Sequence, residues 1–125
     1  MKKEVSFFRC SHCGNIITFV KESGAPVVCC GDPMKELVAN TTDAVKEKHV
    51  PDITKEDGSI YVKIGSIAHP MLPEHYIEWI VCVSGDRVEF KYLEPGVEPE
   101  ATFVGVEEGT VYEYCNLHGL WKAEF

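Results

Sequence analysis

The chain has 125 residues, of which 45% are hydrophobic and 26% charged, and its formal net charge is −8 at pH 7. This length allows one ordinary hydrophobic core with a small appendage, so two compact units are the upper bound. The N-terminal sequence has no apolar segment of the kind found in secretory signals, and no stretch approaches membrane-spanning length. We therefore expect a cytoplasmic protein that does not use a membrane as a partner.

The six cysteines favour metal binding over disulfides, because a chain without an export signal stays in a reducing compartment. Four of them, in CSHCG at 10–14 and CCG at 29–31, have the spacing of a single tetrahedral metal site. The adjacent pair Cys29 and Cys30 must turn both sulfurs toward one ion, which predicts a distorted tetrahedron. From the residues alone, zinc and iron remain equal alternatives, and a disulfide pairing is a weaker one. We expect His12 to be exposed and assign it no role.

A second group consists of four of the five histidines and one cysteine, all in short loop-like stretches that are far apart in sequence. Four imidazoles and a thiolate exceed the four ligands of a structural zinc site, and they suit a five-coordinate transition metal with an open position. At iron, an open position implies inner-sphere redox chemistry. Unrelated core or surface histidines are the better interpretation of any one of these residues, but not of the set. Its members are His49, His69, His75, Cys115 and His118.

Charge and apolar content divide the chain into two predicted domains, residues 1–38 and 39–125. The first carries five basic and four acidic residues, a net charge of +1, and the second carries seven and sixteen, a net charge of −9. A nucleic-acid-binding zinc ribbon would need a basic stripe, so nucleic acid is not an expected partner. Residues 1–38 have too few apolar side chains for an adequate core, so a metal ion is expected to supply much of their folding free energy, and dimerisation would add to it.

After a polar link at 39–48 with room for one helical turn, the periodicity of apolar residues changes to two, which indicates strands. Short strands separated by Gly-containing turns predict an antiparallel β-sandwich of about seven strands, with the histidine loops converging at one end. The most regular alternation places Val88, Phe90 and Tyr92 on one side, which we expect to cover the core. Cys82 lies in an apolar run and is predicted to be a small buried hydrophobe. The predicted strands are 60–64, 77–83, 87–93, 101–106 and 110–115.

The two clusters together resemble the desulfoferrodoxins, the two-iron superoxide reductases. Cys10, Cys13, Cys29 and Cys30 look like the desulforedoxin-type iron centre. The second set of motifs is EKH at 47–49, AHPM at 68–71, HY at 75–76 and YCNxHG at 114–119. The resemblance spans essentially the whole chain, departs from the family at no ligand position, and favours iron over zinc at the first site.

The resemblance implies an all-β fold, in which a small metal-stabilised, desulforedoxin-like N-terminal domain precedes an immunoglobulin-like antiparallel β-sandwich. It also implies two non-haem iron ions, Fe(Cys)4 and Fe(His)4(Cys), and the one-electron reduction of superoxide to hydrogen peroxide without dismutation to oxygen. It implies that rubredoxin is the electron donor and that the protein is a homodimer. It also implies that the first iron is dispensable for the reaction. In the second centre the four equatorial ligands would be His49, His69, His75 and His118, with Cys115 axial.

The resemblance further assigns catalytic roles to the two residues that precede His49. Glu47 would occupy the open position in the oxidised state and leave on reduction, whereas Lys48 would attract the anion and organise a proton-donating water. Without the family, both are more simply solvated charges of a polar loop. Two other functions remain open: an electron carrier with outer-sphere transfer at both irons, and a structural zinc ribbon on an interaction domain.

Overall fold

The computed structural model describes residues 5–42 and 44–125, which fall into two compact units divided between residues 38 and 39. No helix in these described ranges is long and apolar enough to cross a membrane.

The N-terminal unit consists of short strands around two tight turns. Strand β1 is antiparallel to both β2 and β5, and β3 pairs with β4. The turn between β1 and β2 is closed by hydrogen bonds from the Gly14 amide to the Cys10 carbonyl and from the Cys10 amide to the Asn15 carbonyl, at 3.1 and 2.9 Å. Gly14 has a φ of +83°, which glycine adopts without steric cost. The strands are β1 (Phe7–Arg9), β2 (Ile16–Thr18), β3 (Val28–Cys29), β4 (Asp32–Pro33) and β5 (Lys35–Glu36).

The second unit is an antiparallel sandwich of seven strands, preceded by the single helical turn α1 (Lys46–His49). One sheet has the order β10-β7-β6 and the other β12-β11-β8-β9. The all-β prediction of a small metal-site domain and a seven-stranded sandwich is therefore confirmed. The strands are β6 (Pro51–Glu56), β7 (Ser59–Ile64), β8 (Ile77–Ser84), β9 (Arg87–Tyr92), β10 (Glu100–Val104), β11 (Thr110–Cys115) and β12 (Gly119–Glu124).

The core lies between the two sheets and is built from alternate side chains of their strands. Fully or nearly fully buried members include Ile60 and Val62 of β7, Ile80 and Cys82 of β8, and Val111 of β11. The predicted burial of Cys82 is thus confirmed, and its thiol fills space between aliphatic neighbours.

Strand β9 differs from the prediction in which face covers the core. Phe90 pairs with Val81 and Tyr92 with Trp79, on the face of β8 opposite to the core residues Ile80 and Cys82. Phe90 and Tyr92 are accordingly 37% and 76% exposed. The alternation was real, but the expectation that these aromatic side chains cover the core was wrong.

Strand pairing brings three chain segments to one end of the sandwich. The first residue of β6 pairs with the last residue of β7, and Cys115 at the end of β11 pairs with both Ile77 and Gly119. Helical turn α1, the loop from 65 to 76 and the loop from 116 to 118 therefore meet at the same edge. These are the segments that carry the predicted histidine-rich site.

Candidate metal centres

The four cysteines of the N-terminal unit converge on one point. Their sulfur atoms all lie within 4.8 Å of one another, with 3.6 Å between Cys13 and Cys29 and 4.0 Å between Cys29 and Cys30. Four thiolates about 2.3 Å from a common ion lie about 3.8 Å apart, so the spread matches a tetrahedral site. Adjacent cysteines reach the same ion because Cys30 has a φ of +53°, a left-handed conformation that turns its side chain back beside that of Cys29.

Main-chain amides stabilise negative charge at this site. The amides of His12 and Cys13 point to the Cys10 sulfur at 3.4 and 3.5 Å. The Cys13 amide is the main reason that the pKa of Cys10 falls to about 6, whereas hydrogen bonds with Cys13 and Cys10 raise the pKa of Cys30 to about 12. His12 is exposed, as expected, and its Nε2 contacts the Asp32 carboxylate, so this contact joins the two ligand loops.

In the second unit, four imidazoles form a closed ring of neighbours. The ring centroids are 4.7 Å apart for His49 and His69, 4.8 Å for His49 and His118, 4.8 Å for His69 and His75, and 5.0 Å for His75 and His118. The planes of these four pairs cross at 78°, 86°, 79° and 75°, respectively. His49 Nε2 lies 3.2 Å from His69 Nε2 and 3.1 Å from His118 Nδ1. Nitrogen ligands about 2.1 Å from one ion and at right angles lie about 3.0 Å apart, so these rings suit cis positions in a plane.

Cys115 completes the second group. Its sulfur and the ligand nitrogens of His49, His69 and His75 all lie within 4.8 Å of one another, and the sulfur is 3.8 Å from His118 Nδ1. Cys115 is fully buried, whereas His75 and His118 are only half-buried. The thiol therefore lies on the protein side of the histidine ring.

Two of the histidines are oriented by main-chain carbonyls. The ring of His49 donates from Nδ1 to the Val45 carbonyl at 2.7 Å, and that of His69 donates to the Pro70 carbonyl at 2.6 Å. These hydrogen bonds fix the tautomer and leave Nε2 free to bind a metal. Trp121 stacks on His49 at 5.0 Å and donates its indole N–H to the main chain, so it packs against the site without polar contact to the ring.

The protonation of these side chains favours metal binding. Burial lowers the pKa of His49 and His75 and lowers that of His69 to about 4, so these three imidazoles are neutral ligands at pH 7. Burial raises the pKa of Cys115, although the amides of Leu117 and His118 oppose the change. A bound cation would reverse that effect and hold the thiolate.

One atom indicates most directly that a metal ion fits the histidine ring. His75 Nε2 is buried and has no hydrogen-bond partner among the residues that the structure describes. A buried nitrogen lone pair without a donor is costly, and a cation would satisfy it. The prediction of two metal sites per chain is confirmed to this extent, because both clusters can hold an ion.

Comparison with known proteins agrees with both sites. The sequence matches the desulfoferrodoxin family over residues 41–124 and the N-terminal domain of desulfoferrodoxin over residues 2–37. The chain belongs to the desulfoferrodoxin family. It is 49% identical to the desulfoferrodoxin of Clostridium acetobutylicum, with 99% of each chain covered.

Two further relatives of this desulfoferrodoxin-family chain carry the name superoxide reductase. The protein from Pyrococcus horikoshii is 38% identical over 73% of this chain and 96% of its own. The crystal structure of the superoxide reductase from Treponema pallidum has a TM-score of 0.78 and 35% sequence identity, and the match covers 97% of this chain and 99% of that one. The match to the Treponema pallidum structure therefore extends over nearly the whole chain.

The two charged residues that precede His49 differ in exposure. Both lie on α1, where Glu47 is exposed and Lys48 is half-buried. Beyond the effect of burial, the positive charge of Lys48 further lowers the pKa of His49 and His75. Lys48 therefore acts electrostatically on the histidine site of this family member, whereas the carboxylate of Glu47 faces solvent beside Ser66 and Asp52.

A main-chain clamp holds the segment that carries these two residues. The Glu47 carbonyl accepts hydrogen bonds from the Ile67 amide at 2.9 Å and from the Ser66 hydroxyl at 3.4 Å. Gly65 lies directly against the main chain of Glu47 and Lys48, because a Cβ there would be 2.6 Å from the Glu47 oxygen and 2.8 Å from the Lys48 carbonyl carbon. Sequence reasoning gave no role to Gly65, Ser66 or Ile67 and did not anticipate this use of the Glu47 carbonyl.

Glu113, two residues before Cys115, was also missed. Its side chain is fully buried, and neither carboxyl oxygen has a hydrogen-bond partner within the described part of the chain. Burial raises the pKa of Glu113 well above its usual range, which favours the neutral form of the carboxyl group. The alternation of β11 does place this residue on the core face, but a glutamate there is normally expected to be exposed.

Proposed function

We propose that this chain is a superoxide reductase, which transfers one electron to superoxide and yields hydrogen peroxide at an iron held by four histidines and Cys115. The closed ring of four nearly perpendicular imidazoles beside one buried thiol carries the proposal. A structural zinc site needs only four ligands, so the fifth favours a redox-active ion. Relatives named superoxide reductase support the choice of substrate.

The arrangement of ligands would leave one coordination position open on the solvent side. The four imidazoles and the buried Cys115 would hold the ion, and the half-buried His75 and His118 lie on the side of the site nearest to solvent. Iron(II) bound here would supply the electron, with the thiolate increasing its electron density. The surrounding chain has to admit a small anion and supply protons, and an exposed face beside charged side chains permits both.

Lys48 is proposed to attract the substrate. Superoxide is an anion and the chain has a net charge of −8, so the overall field opposes its approach. Lys48 is half-buried, and its charge adds to burial in lowering the pKa of His49 and His75, which supports a positive charge near the proposed open face. Its ammonium group would also orient a proton-donating water. Glu47, on the same helical turn, is proposed to bind the oxidised iron and to leave on reduction.

The remaining family properties are part of the same proposal. The Cys10, Cys13, Cys29 and Cys30 site would hold a second iron that stabilises the N-terminal unit and is not needed for superoxide reduction. The proposal also includes two domains, at residues 1–38 and 39–125, and a rubredoxin-like electron donor. It further includes a homodimeric assembly and a cytoplasmic location. Desulfoferrodoxin relatives that match both units support the two-domain organisation.

Two rival functions are separated by simple measurements. An electron carrier without an open position predicts that azide or cyanide leaves the spectrum of the histidine site unchanged, whereas the proposed enzyme predicts a shift. A structural zinc protein predicts a colourless preparation that contains no iron. Iron content per chain, measured together with absorption spectra of the oxidised and reduced forms, decides between these alternatives.

The experiment that tests the role of Lys48 compares Lys48→Ile with Lys46→Ile. A unit charge about 6 Å from the anion, at an effective dielectric constant of about 40, contributes about 1.4 kcal/mol or about tenfold in rate. We expect Lys48→Ile to lower the second-order rate constant with superoxide by about this factor and to flatten its decline with salt. Lys46 is exposed on the same turn and lies beside Glu47, so it matches the loss of charge.

The rate constants are measured by pulse radiolysis over a series of ionic strengths for both variants and the parent. Equal effects of the two substitutions would assign the attraction to the general field and remove Lys48 from the proposal. A parent protein that holds iron but does not react with superoxide would refute the enzyme function itself.

A further inference from the structure

His75 differs from its neighbours in how its ring is oriented. His49 and His69 donate from Nδ1 to the carbonyls of Val45 and Pro70. The His75 ring makes no such hydrogen bond within the described residues, although its Nε2 is buried and one of its ring nitrogens lies within 4.8 Å of the ligand atoms of His49, His69 and Cys115. A ligand ring that lacks an outer hydrogen bond has to be positioned in another way.

The main chain around His75 is held by one side chain, that of Asn116. Its Oδ1 accepts from the Tyr76 amide at 2.9 Å, and its Nδ2 donates to the Glu74 carbonyl at 3.1 Å. Its own amide donates to the Tyr76 carbonyl at 3.2 Å. Asn116 thus binds the peptide groups on both sides of His75, while the amide and carbonyl of His75 itself pair with Leu72.

We propose that Asn116 is a positioning residue that sets the orientation of His75 and couples it to Cys115. Asn116 follows Cys115 directly, so its hydrogen bonds join the loop that carries one ligand to the segment that carries another. Any movement of the His75 loop must then displace the chain at Cys115 as well. Asn116 acts through main-chain groups and touches neither the ligand atoms nor the substrate.

An asparagine is required at this point because the two groups that it binds differ in kind. One is an N–H donor and the other a carbonyl acceptor, so only a primary amide pairs with both at this side-chain length. Aspartate has the same shape and would keep the hydrogen bond from Tyr76. It would also turn a carboxylate oxygen toward the Glu74 carbonyl, which is repulsive. Alanine loses both hydrogen bonds.

The inference rests on the proposed iron site, and its test does not use superoxide, so the two can fail separately. In the holoprotein, iron loss to a ferrous chelator is followed by the decay of the sulfur-to-iron absorption band of the histidine site. Replacement of outer hydrogen-bond partners of metal ligands costs about tenfold to a hundredfold in metal affinity. We expect Asn116→Ala to release this iron about tenfold faster than the parent and Asn116→Asp to fall between the two.

Asn40→Ala is the matched control. The Asn40 side chain makes the same pair of hydrogen bonds to the main chain of Lys122, at 3.2 and 2.8 Å, and Asn40 has a φ of +63°. Its replacement by alanine loses both hydrogen bonds and adds backbone strain, so its cost in thermal stability should equal or exceed that of Asn116→Ala. We expect no change in the rate of iron loss for this control.

A double substitution locates the effect. If Asn116 acts through His75, then Asn116→Ala changes iron release much less in a His75→Ala background than in the parent. Equal effects in both backgrounds would overturn the proposal. Release rates that simply follow thermal stability across the parent, Asn116→Ala, Asn116→Asp and Asn40→Ala would overturn it as well. If Asn116→Ala fails to fold, the same comparison is made with Asn116→Asp, and release at the parent rate would then refute the proposal.

Discussion

Replacement of Gly65 by alanine should disturb the segment that carries Glu47 and Lys48. Gly65 has a φ of +78°, and a Cβ there would lie 2.6 Å from the carbonyl oxygens of both Glu47 and Ile67. Real Cβ atoms essentially never approach other heavy atoms within 3.0 Å, and these neighbours are main-chain atoms that cannot rotate away. The peptide between Glu47 and Lys48 therefore has to move.

The expected loss of folding stability in Gly65→Ala has two parts. An alanine in the left-handed region costs about 1 to 2 kcal/mol, and relief of the overlap adds about 1 to 3 kcal/mol, as for other insertions into packed sites. Gly58→Ala provides the control, because Gly58 has a φ of +69° and a Cβ added there would meet no heavy atom within 4 Å. It should incur only the first part, so Gly65→Ala should be the less stable variant by about 1 to 3 kcal/mol.

Activity should change at Gly65 and not at Gly58. A movement of several tenths of an ångström should weaken the 2.9 Å hydrogen bond from Ile67 to Glu47 and shift the ammonium group of Lys48 from its proposed place beside the open position. We expect the second-order rate constant with superoxide to fall about threefold, which is part of the tenfold effect expected for loss of the charge. Adding Gly65→Ala to Lys48→Ile should then lower the rate little further.

Urea denaturation of both glycine variants gives the stability difference, and pulse radiolysis gives the rates. A Gly65→Ala protein that reacts at the parent rate, with a stability equal to that of Gly58→Ala, would show that the clamp yields without moving the helical turn. A threefold loss that persists in the Lys48→Ile background would mean that the clamp acts on the metal site itself.

Three other outcomes follow from the ligand sets. Cys13→Ser should alter only the first metal site, with some loss of N-terminal stability but with superoxide reduction retained in stopped-flow mixing; an inactive protein whose histidine site still holds iron would contradict this. Cys115→Ser should abolish the sulfur-to-iron absorption band, whereas His118→Ala should mainly weaken metal retention; a band that survives would place the sulfur elsewhere. Glu47→Ala should leave the first encounter with superoxide fast but change the ferric spectrum and its pH dependence; a spectrum identical at every pH would remove Glu47 from the coordination sphere.

The sequence was most informative where chemistry is local. The spacing of Cys10 and Cys13 and the adjacency of Cys29 and Cys30 limit the geometry so strongly that a shared site could be predicted before any fold was known. The histidines are far apart in sequence, so their convergence depended on the strand order. It could be inferred only because the loops flank predicted strands of an antiparallel sandwich. Successive strands there run in opposite directions, so every second loop lies at the same end.

Parts of the fold had weaker signals. Strand β6 has five of its six residues at least partly exposed and shows little apolar alternation. Strand β12 begins directly after the last ligand, His118, and contains a glycine and two charged residues. Strand β9 does alternate, but an alternating pattern shows only which side chains share a face. Which face turns inward depends on the partner strand, and this is why Phe90 and Tyr92 were misplaced.

The residues that support the sites could not be predicted, because their partners are main-chain groups. Gly65 matters because a peptide passes within contact distance, and Asn116 because two peptide groups of opposite polarity flank His75. Neither requirement leaves a pattern in a single sequence. Trp121 is similar, since a tryptophan in a strand is an ordinary core residue until a histidine ring is found stacked on it.

The two sites also differ in how much of their geometry precedes the metal. His49 and His69 are buried, neutral and already hydrogen-bonded to carbonyls, so binding an ion there requires little rearrangement beyond loss of the Cys115 proton. The N-terminal unit has strands of only two or three residues, and Cys13 and Cys30 are exposed. Cys10 is buried, but the other three ligands have no comparable packing to hold them, so we expect an ion to contribute directly to folding there. A sandwich that holds its ligands in place suits a reaction that requires an open position, because the metal is not needed to hold the fold together.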